Sequence, residues 1–150
     1  MNTHQSRKIQ DQVATLLSTD YFLDTDKMQL FKSTFTPGAN SVLADFTANV
    51  VNFTGYNPFI LVEDWLHGVD GANDGLLIYD GLATFTQTDV IATDIAGGWY
   101  IIDTAGGELK AYGLFDDPMN FDRDGNQLLV KPSWHAPITS DADAEFIEGP

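Results

Sequence analysis

Apolar residues recur at a helical interval over the first stretch of the chain and mostly at intervals of two over the rest. Ile9, Val13, Leu16 and Leu17 stand at i, i+4, i+7 and i+8, the spacing that lines one face of an amphipathic helix, so a short helix is predicted over residues 5–18. Ser18-Thr-Asp20 supplies breaker chemistry after it. The stretch Asp20-Tyr-Phe-Leu-Asp-Thr-Asp26 alternates poorly and carries three acids, which reads as a connector.

From Met28 to Phe35 the pattern changes to a strand, with Phe31, Ser33 and Phe35 against Leu30, Lys32 and Thr34, ended by the turn pair Pro37-Gly38. Asn40-Ser41 can cap a short helix holding Val42, Leu43 and Phe46, and Val50-Val-Asn-Phe-Thr54 reads either as part of that region or as a return to strand. Beyond Gly55-Tyr-Asn-Pro58 come short runs rich in aromatic and branched residues, at 59–65, 76–79, 82–88, 99–103, 109–115 and 128–131. Glycine- and asparagine-bearing stretches separate them, Asp70-Gly-Ala-Asn-Asp-Gly75 and Asp124-Gly-Asn126 among them, as turns with positive φ require. Short strands punctuated in this way predict a mainly β protein, an antiparallel β-sandwich or jelly roll carrying a short N-terminal helical arm.

The clearest hairpin joins Trp99–Asp103 to Leu109–Phe115 through Ala105-Gly-Gly-Glu108. Strict alternation on its second strand puts Leu109, Ala111, Gly113 and Phe115 on the core face and Lys110, Tyr112 and Leu114 on the other. Residues 140–150 show neither period and read as an acidic tail, flexible or ordered by a partner. The division predicted is an arm over 1–27, a β-domain over 28–139 and a tail over 140–150.

Composition narrows the function classes. A chain of 150 residues with 43% hydrophobic content can build one core and is too apolar for a disordered protein. It has no cysteine, which removes disulfides, thiolate metal sites and cysteine nucleophiles. The start lacks the apolar core of a secretory signal, and no run is long enough for a membrane helix, so cytoplasmic synthesis is expected. The formal charge of -15 repels phosphate backbones and anionic lipid, so neither nucleic acid nor membrane is expected as a partner. Residues 1–32 balance Arg7, Lys8, Lys27 and Lys32 against Asp11, Asp20, Asp24 and Asp26, which leaves the whole excess on 33–150.

Candidate chemistry is sparse. Asp122-Arg-Asp-Gly-Asn126 has the alternating oxygens of a calcium loop, but its glycine comes too early and Ser133 stands where a bidentate glutamate belongs, so a plain turn is the better reading. His4, His67 and His135 are far apart and form no zinc-ligand pair, and no Gly-x-Ser-x-Gly elbow exists. Glu63-Asp64, Asp116-Asp117 and Glu108 could furnish the two carboxylates of a glycosidase, yet a chain with 22 acids offers such pairs by chance. No metal, cofactor or catalytic residue is assigned, and an enzyme is not expected. Trp65, Trp99, Tyr100 and Trp134 are candidate interface aromatics, or a sugar platform, against the plainer reading that they fill the core. Trp99 and Tyr100 are adjacent on a strand and must face opposite ways, so one of the two points away from the core or into a second interface.

Met28-Gln-Leu-Phe-Lys-Ser-Thr-Phe-Thr-Pro37, Ser41-Val-Leu-Ala-Asp-Phe-Thr47 and Gly55-Tyr56 resemble the opening of a family of small virion-associated proteins of tailed bacteriophages. Gly98-Trp-Tyr-Ile-Ile-Asp-Thr-Ala-Gly-Gly-Glu-Leu-Lys-Ala-Tyr112 is similar to that family's hairpin, and Asn126-Gln-Leu-Leu-Val-Lys-Pro132 to its last strand. The resemblance spans most of 28–134 and its motifs form the fold without carrying chemistry. It implies a structural role on the particle: a capsid cement (decoration) protein, with a tail or fibre component as the alternative. On that basis the body is expected to self-associate as a homotrimer and to contact the major capsid protein, while the tryptophans support a second reading as a glycan-binding adhesion module. In the cement reading Ile9, Val13, Leu16 and Leu17, with Tyr21 and Phe22 of the connector, form the partner-binding segment.

Overall fold

The computed structural model describes residues 22–23, 25–69, 75–89, 94–103, 107–135, 139–147 and 149. The chain runs β1 (Lys27–Lys32), α1 (Leu43–Ala48), β2 (Phe59–Ile60), β3 (Trp65–Val69), β4 (Gly75–Tyr79), β5 (Ala83–Thr86), β6 (Ile95–Asp103), β7 (Glu108–Asn120), β8 (Gln127–His135) and β9 (Thr139–Ile147). Two antiparallel sheets pack face to face as a β-sandwich, one ordered β2-β1-β6-β7 and the other β3-β4-β8-β5, with β9 also paired to β8. In the second sheet β4 meets β8 at residues 133–135 and β5 meets it at 127–130. The two short strands therefore share one edge of β8, and β9 takes the other along nine rungs.

Alternation fills the space between the sheets. Met28 and Leu30 from β1, Trp99 and Ile101 from β6, Leu77 and Tyr79 from β4, Phe85 from β5 and Leu128 and Val130 from β8 are all buried there, joined by Val51, Phe53, Leu61 and Phe121 from the connections. The opposite face of the first sheet is covered too. Phe31, Phe46 and Tyr100 form a second buried cluster with Phe35, Leu43, Ile102, Leu109 and Tyr112 around it, so Phe46 of α1 seals a third layer. Two glycines make these rings fit. A Cβ at Gly98 would lie 2.3 Å from the Phe31 ring, and one at Gly113 would lie 2.7 Å from the Trp99 indole.

The predicted hairpin forms, with Trp99 opposite Gly113 and Asp103 opposite Glu108, but its alternation is broken. Ile101 pairs with Ala111 and Ile102 with Leu109, which leaves Lys110 as an extra residue in β7. This β-bulge sends Leu109 to the helix-covered cluster while Ala111 and Phe115 stay with the inter-sheet core, contrary to the expected single face. A second irregularity sets Phe115–Pro118 outside the pairing between Gly98–Leu114 and Ala96–Met119, a position where a strand tolerates proline.

The ends of the chain depart from expectation in two places. The tail, expected to be flexible or ordered by a partner, is strand β9 over most of its length, and Phe146 packs against Phe121 with ring centroids 5.4 Å apart. The long unpaired edge of β8 supplies the partner, and the tail's own sequence, Asp141-Ala-Asp-Ala-Glu-Phe146, alternates acid with apolar residue, as an edge strand protected from further pairing does. The arm also ends earlier than residue 27, since Phe22 and Asp26 are buried in the domain. The helix predicted over 5–18 lies outside the described residues.

Candidate functional site

The residues singled out from sequence scatter once placed. Ile9, Val13, Leu16, Leu17 and Tyr21 lie outside the described residues. Phe22, expected in the partner-binding segment, instead stacks on Trp65 at 4.3 Å and is 5% exposed. Trp65 and Trp99 fill the inter-sheet core at 8% and 1% exposure, and Tyr100 is fully buried under α1. These three candidates for interface or sugar-platform aromatics are core residues: Trp65 of the second sheet lies in the inter-sheet core, and Trp99 and Tyr100 lie on the two faces of the first sheet, both of which are covered. Trp134 stands on β8 opposite Leu77 and Ser140, and nothing beyond this backbone position is described.

The oxygen-rich stretches resolve in the same direction. In the turn after β7, Asn126 is buried, and its Nδ2 donates to the Asn120 carbonyl at 3.1 Å and to Asp122 Oδ1 at 3.3 Å. Its Oδ1 accepts from the Gly149 amide at 2.8 Å, so the amide oxygen that a cation would need already has a partner. Gly125 takes φ 83, and the segment is the tight turn its composition suggested. Glu63, Asp64, Glu108, Asp116 and Asp117 are all exposed, and among the described residues no group of three or more His, Asp or Glu could hold a metal. Among those residues no helix is long and apolar enough to cross a membrane.

Two features that sequence reasoning passed over are more pronounced. The first is a buried ion pair: Lys110 Nζ lies 3.0 Å from Asp26 Oδ2, with the two side chains 5% and 0% exposed. The bulge positions the lysine, and a turn positions the aspartate: the Asp26 amide donates to the Leu23 carbonyl at 3.1 Å while Oδ2 accepts from the Leu23 amide at 2.8 Å. The clue was a lysine between Leu109 and Ala111 on a strand, placed from sequence only on the face opposite theirs, with Tyr112 and Leu114.

The second is a set of exposed apolar side chains on neighbouring segments. Ile60, Val62, Leu66 and Leu82 are 47–60% exposed. The Asp80 amide donates to the Asp64 carbonyl at 2.8 Å and a Cβ on Gly81 would lie 2.9 Å from Glu63 Cγ, which places segments 62–64 and 80–82 side by side. Glu63, Asp64 and Asp80, all exposed, lie among them. Such a mixture can contact another protein; it contains no nucleophile with an adjacent base.

The fold and its surface define a β-sandwich whose described aromatic residues are largely consumed in two cores and whose described acids, Asp26 apart, reach the surface. No protein-family model, curated protein or solved structure matches the chain.

Proposed function

We propose that this chain is a non-catalytic structural protein of a tailed-phage virion, a capsid cement protein that self-associates as a trimer and binds the outer shell across subunit joints. The observation that carries this reading is the contrast between the buried aromatics and the exposed apolar group of Ile60, Val62, Leu66 and Leu82 among acids. Side chains of that kind stabilise a protein by being covered by another protein. The two tryptophans placed in the core leave no stacking face for a sugar, so the adhesion alternative loses Trp65 and Trp99.

A protein that binds only the assembled shell stabilises it by mass action. In this reading the stripe of Ile9, Val13, Leu16 and Leu17 is the clasp to a neighbour, and the acidic body facing solvent keeps particles from adhering to one another. The test is sedimentation of the purified full chain with shells that lack it. The full chain is expected to co-sediment in fixed stoichiometry and to raise the temperature at which shells open, and a chain carrying Val62→Glu and Leu82→Glu is expected to bind at least tenfold more weakly. A full chain that stays in the supernatant, or a doubly substituted one that binds undiminished, refutes the assignment of those residues to shell contact.

A further inference from the structure

The buried pair of Asp26 and Lys110 leaves one polar atom without a partner. Asp26 Oδ2 receives both the Leu23 amide and the Lys110 ammonium, whereas Oδ1 is buried and has no hydrogen-bond partner. A carboxylate removed from water is costly unless its oxygens are engaged. An amide in the same place has no such deficit. It is neutral, it keeps a single oxygen, and the Leu23 N–H already supplies that oxygen's partner.

We propose that Lys110 Nζ and Asp26 Cγ are joined in an intramolecular isopeptide bond, with Oδ1 as the oxygen that leaves. The ammonium passes one proton to Oδ2, the oxygen it contacts, which gives an amine beside a carboxylic acid. The nitrogen lone pair then attacks Cγ, a second nitrogen proton passes to Oδ1 in the tetrahedral intermediate, and the Cγ–Oδ1 bond breaks as that hydroxyl takes the Oδ2 proton and departs as water. One ammonium and one carboxylate become one amide and one water, so charge and atoms balance with no oxidant, reductant or further reagent. Three features favour the step. The reacting groups are held within hydrogen-bond reach, so the translational cost of bringing them together is already met by folding. Burial at 5% and 0% exposure favours a neutral product over two charges and excludes the water that would reverse it. The β-bulge that frees Lys110 from the ladder aims its side chain at a residue 84 positions away, on the far side of β6. The bond ties the entry to β1 to β7, the two strands that flank β6 in the first sheet, and it does so whether or not the chain serves on a virion.

The deciding measurement is the intact mass of the purified full chain under denaturing conditions, followed by a proteolytic map. The expected mass is one water below the sequence value, with a branched peptide that joins the Asp26 and Lys110 segments. Asp26→Ala and Lys110→Arg chains are expected at full mass and with a lower unfolding temperature. Asp26→Ala also strands a buried ammonium and Lys110→Arg must fit a larger guanidinium into the same buried site, so either can unfold the domain for that reason alone and the wild-type chain decides. At full sequence mass, or with its water loss mapped to other residues, it overturns the proposal.

Discussion

Between the sheets, Trp65, Trp99, Phe85 and Phe121 sit among aliphatic side chains drawn from both sheets, with ring contacts spread over separate groups such as Phe22 on Trp65 and Phe53 on Phe121. Outside the first sheet, by contrast, Phe31, Phe35, Tyr100 and Tyr112 all gather around the single ring of Phe46 on one six-residue helix. The Phe46 ring lies 5.1 to 5.5 Å from each of the other four. The inter-sheet core is assembled from residues distant in the chain, so it exists only when both sheets do. The helix-covered core takes Phe31, Phe35, Leu43 and Phe46 from one short stretch and closes it onto β6 and β7. Regions of the second kind open locally, at less than the cost of global unfolding.

Truncating the central ring of each core makes the sharpest break. Trp99→Ala and Phe46→Ala both empty fully buried aromatic volume, and losses of about 3–5 kcal/mol are typical of such changes. Trp99→Ala is expected at the top of that range, with one cooperative transition in urea that carries both sheets. Phe46→Ala is expected at the bottom, with α1 and its neighbours losing amide-exchange protection before the strands do. Equal losses with identical exchange patterns would erase the distinction between the cores.

A smaller effect separates the hydroxyls of the two cores. On the edge of β1 the Leu30 amide donates to Tyr56 Oη at 3.0 Å and the Leu30 carbonyl accepts from the Val51 amide at 3.1 Å. The phenol and one loop amide stand in for a neighbouring strand. Tyr56→Phe strands that amide, and a loss of about 1–3 kcal/mol is expected from equilibrium unfolding. A neutral result would mean that water reaches Leu30 and that the edge is less closed than the inter-sheet packing implies.

Much of this was legible in the sequence, and what was not has definite physical causes. Short branched and aromatic runs between glycine and asparagine turns announced the sandwich, and the pairing of Trp99–Asp103 with the strand after Gly107 followed from their lengths. Alternation also required Trp99 and Tyr100 to face opposite ways. It could not show that six residues of helix cover the outer face, and so it made Tyr100 a candidate for a partner surface. A bulge adds one residue without changing composition, so the shift at Lys110 and the burial of its amine left no periodic trace. The alternation from Asp141 to Phe146 was present but masked by charge, since a strand so acidic is stable only against the long edge that β8 offers. The candidate site was the least legible part, because the exposed Val62 and Leu82 differ from core residues only in where the chain turns.

Tyr100 supplies the smallest and most discriminating contrast. Its Oη is buried under α1 with no hydrogen-bond partner, unlike that of Tyr56. Burial pushes the phenol up to about 12. A raised phenol means that the fold favours the neutral form. The stability this gives is whole below the unfolded value of about 10 and is lost as pH rises through about 12. Tyr100→Phe removes a hydroxyl that contributes no bond, so a gain of up to about 1 kcal/mol is expected near neutral pH, opposite in sign to Tyr56→Phe. The fall in stability between about pH 10 and pH 12 should become shallower in the variant. It should not vanish, because burial raises Tyr56 and Tyr79 as well. Urea unfolding of both chains at neutral and alkaline pH reads the two effects together. A Tyr100→Phe chain that is weaker at neutral pH and keeps the wild-type slope would show that the hydroxyl is bonded, and that the two cores treat their tyrosines alike.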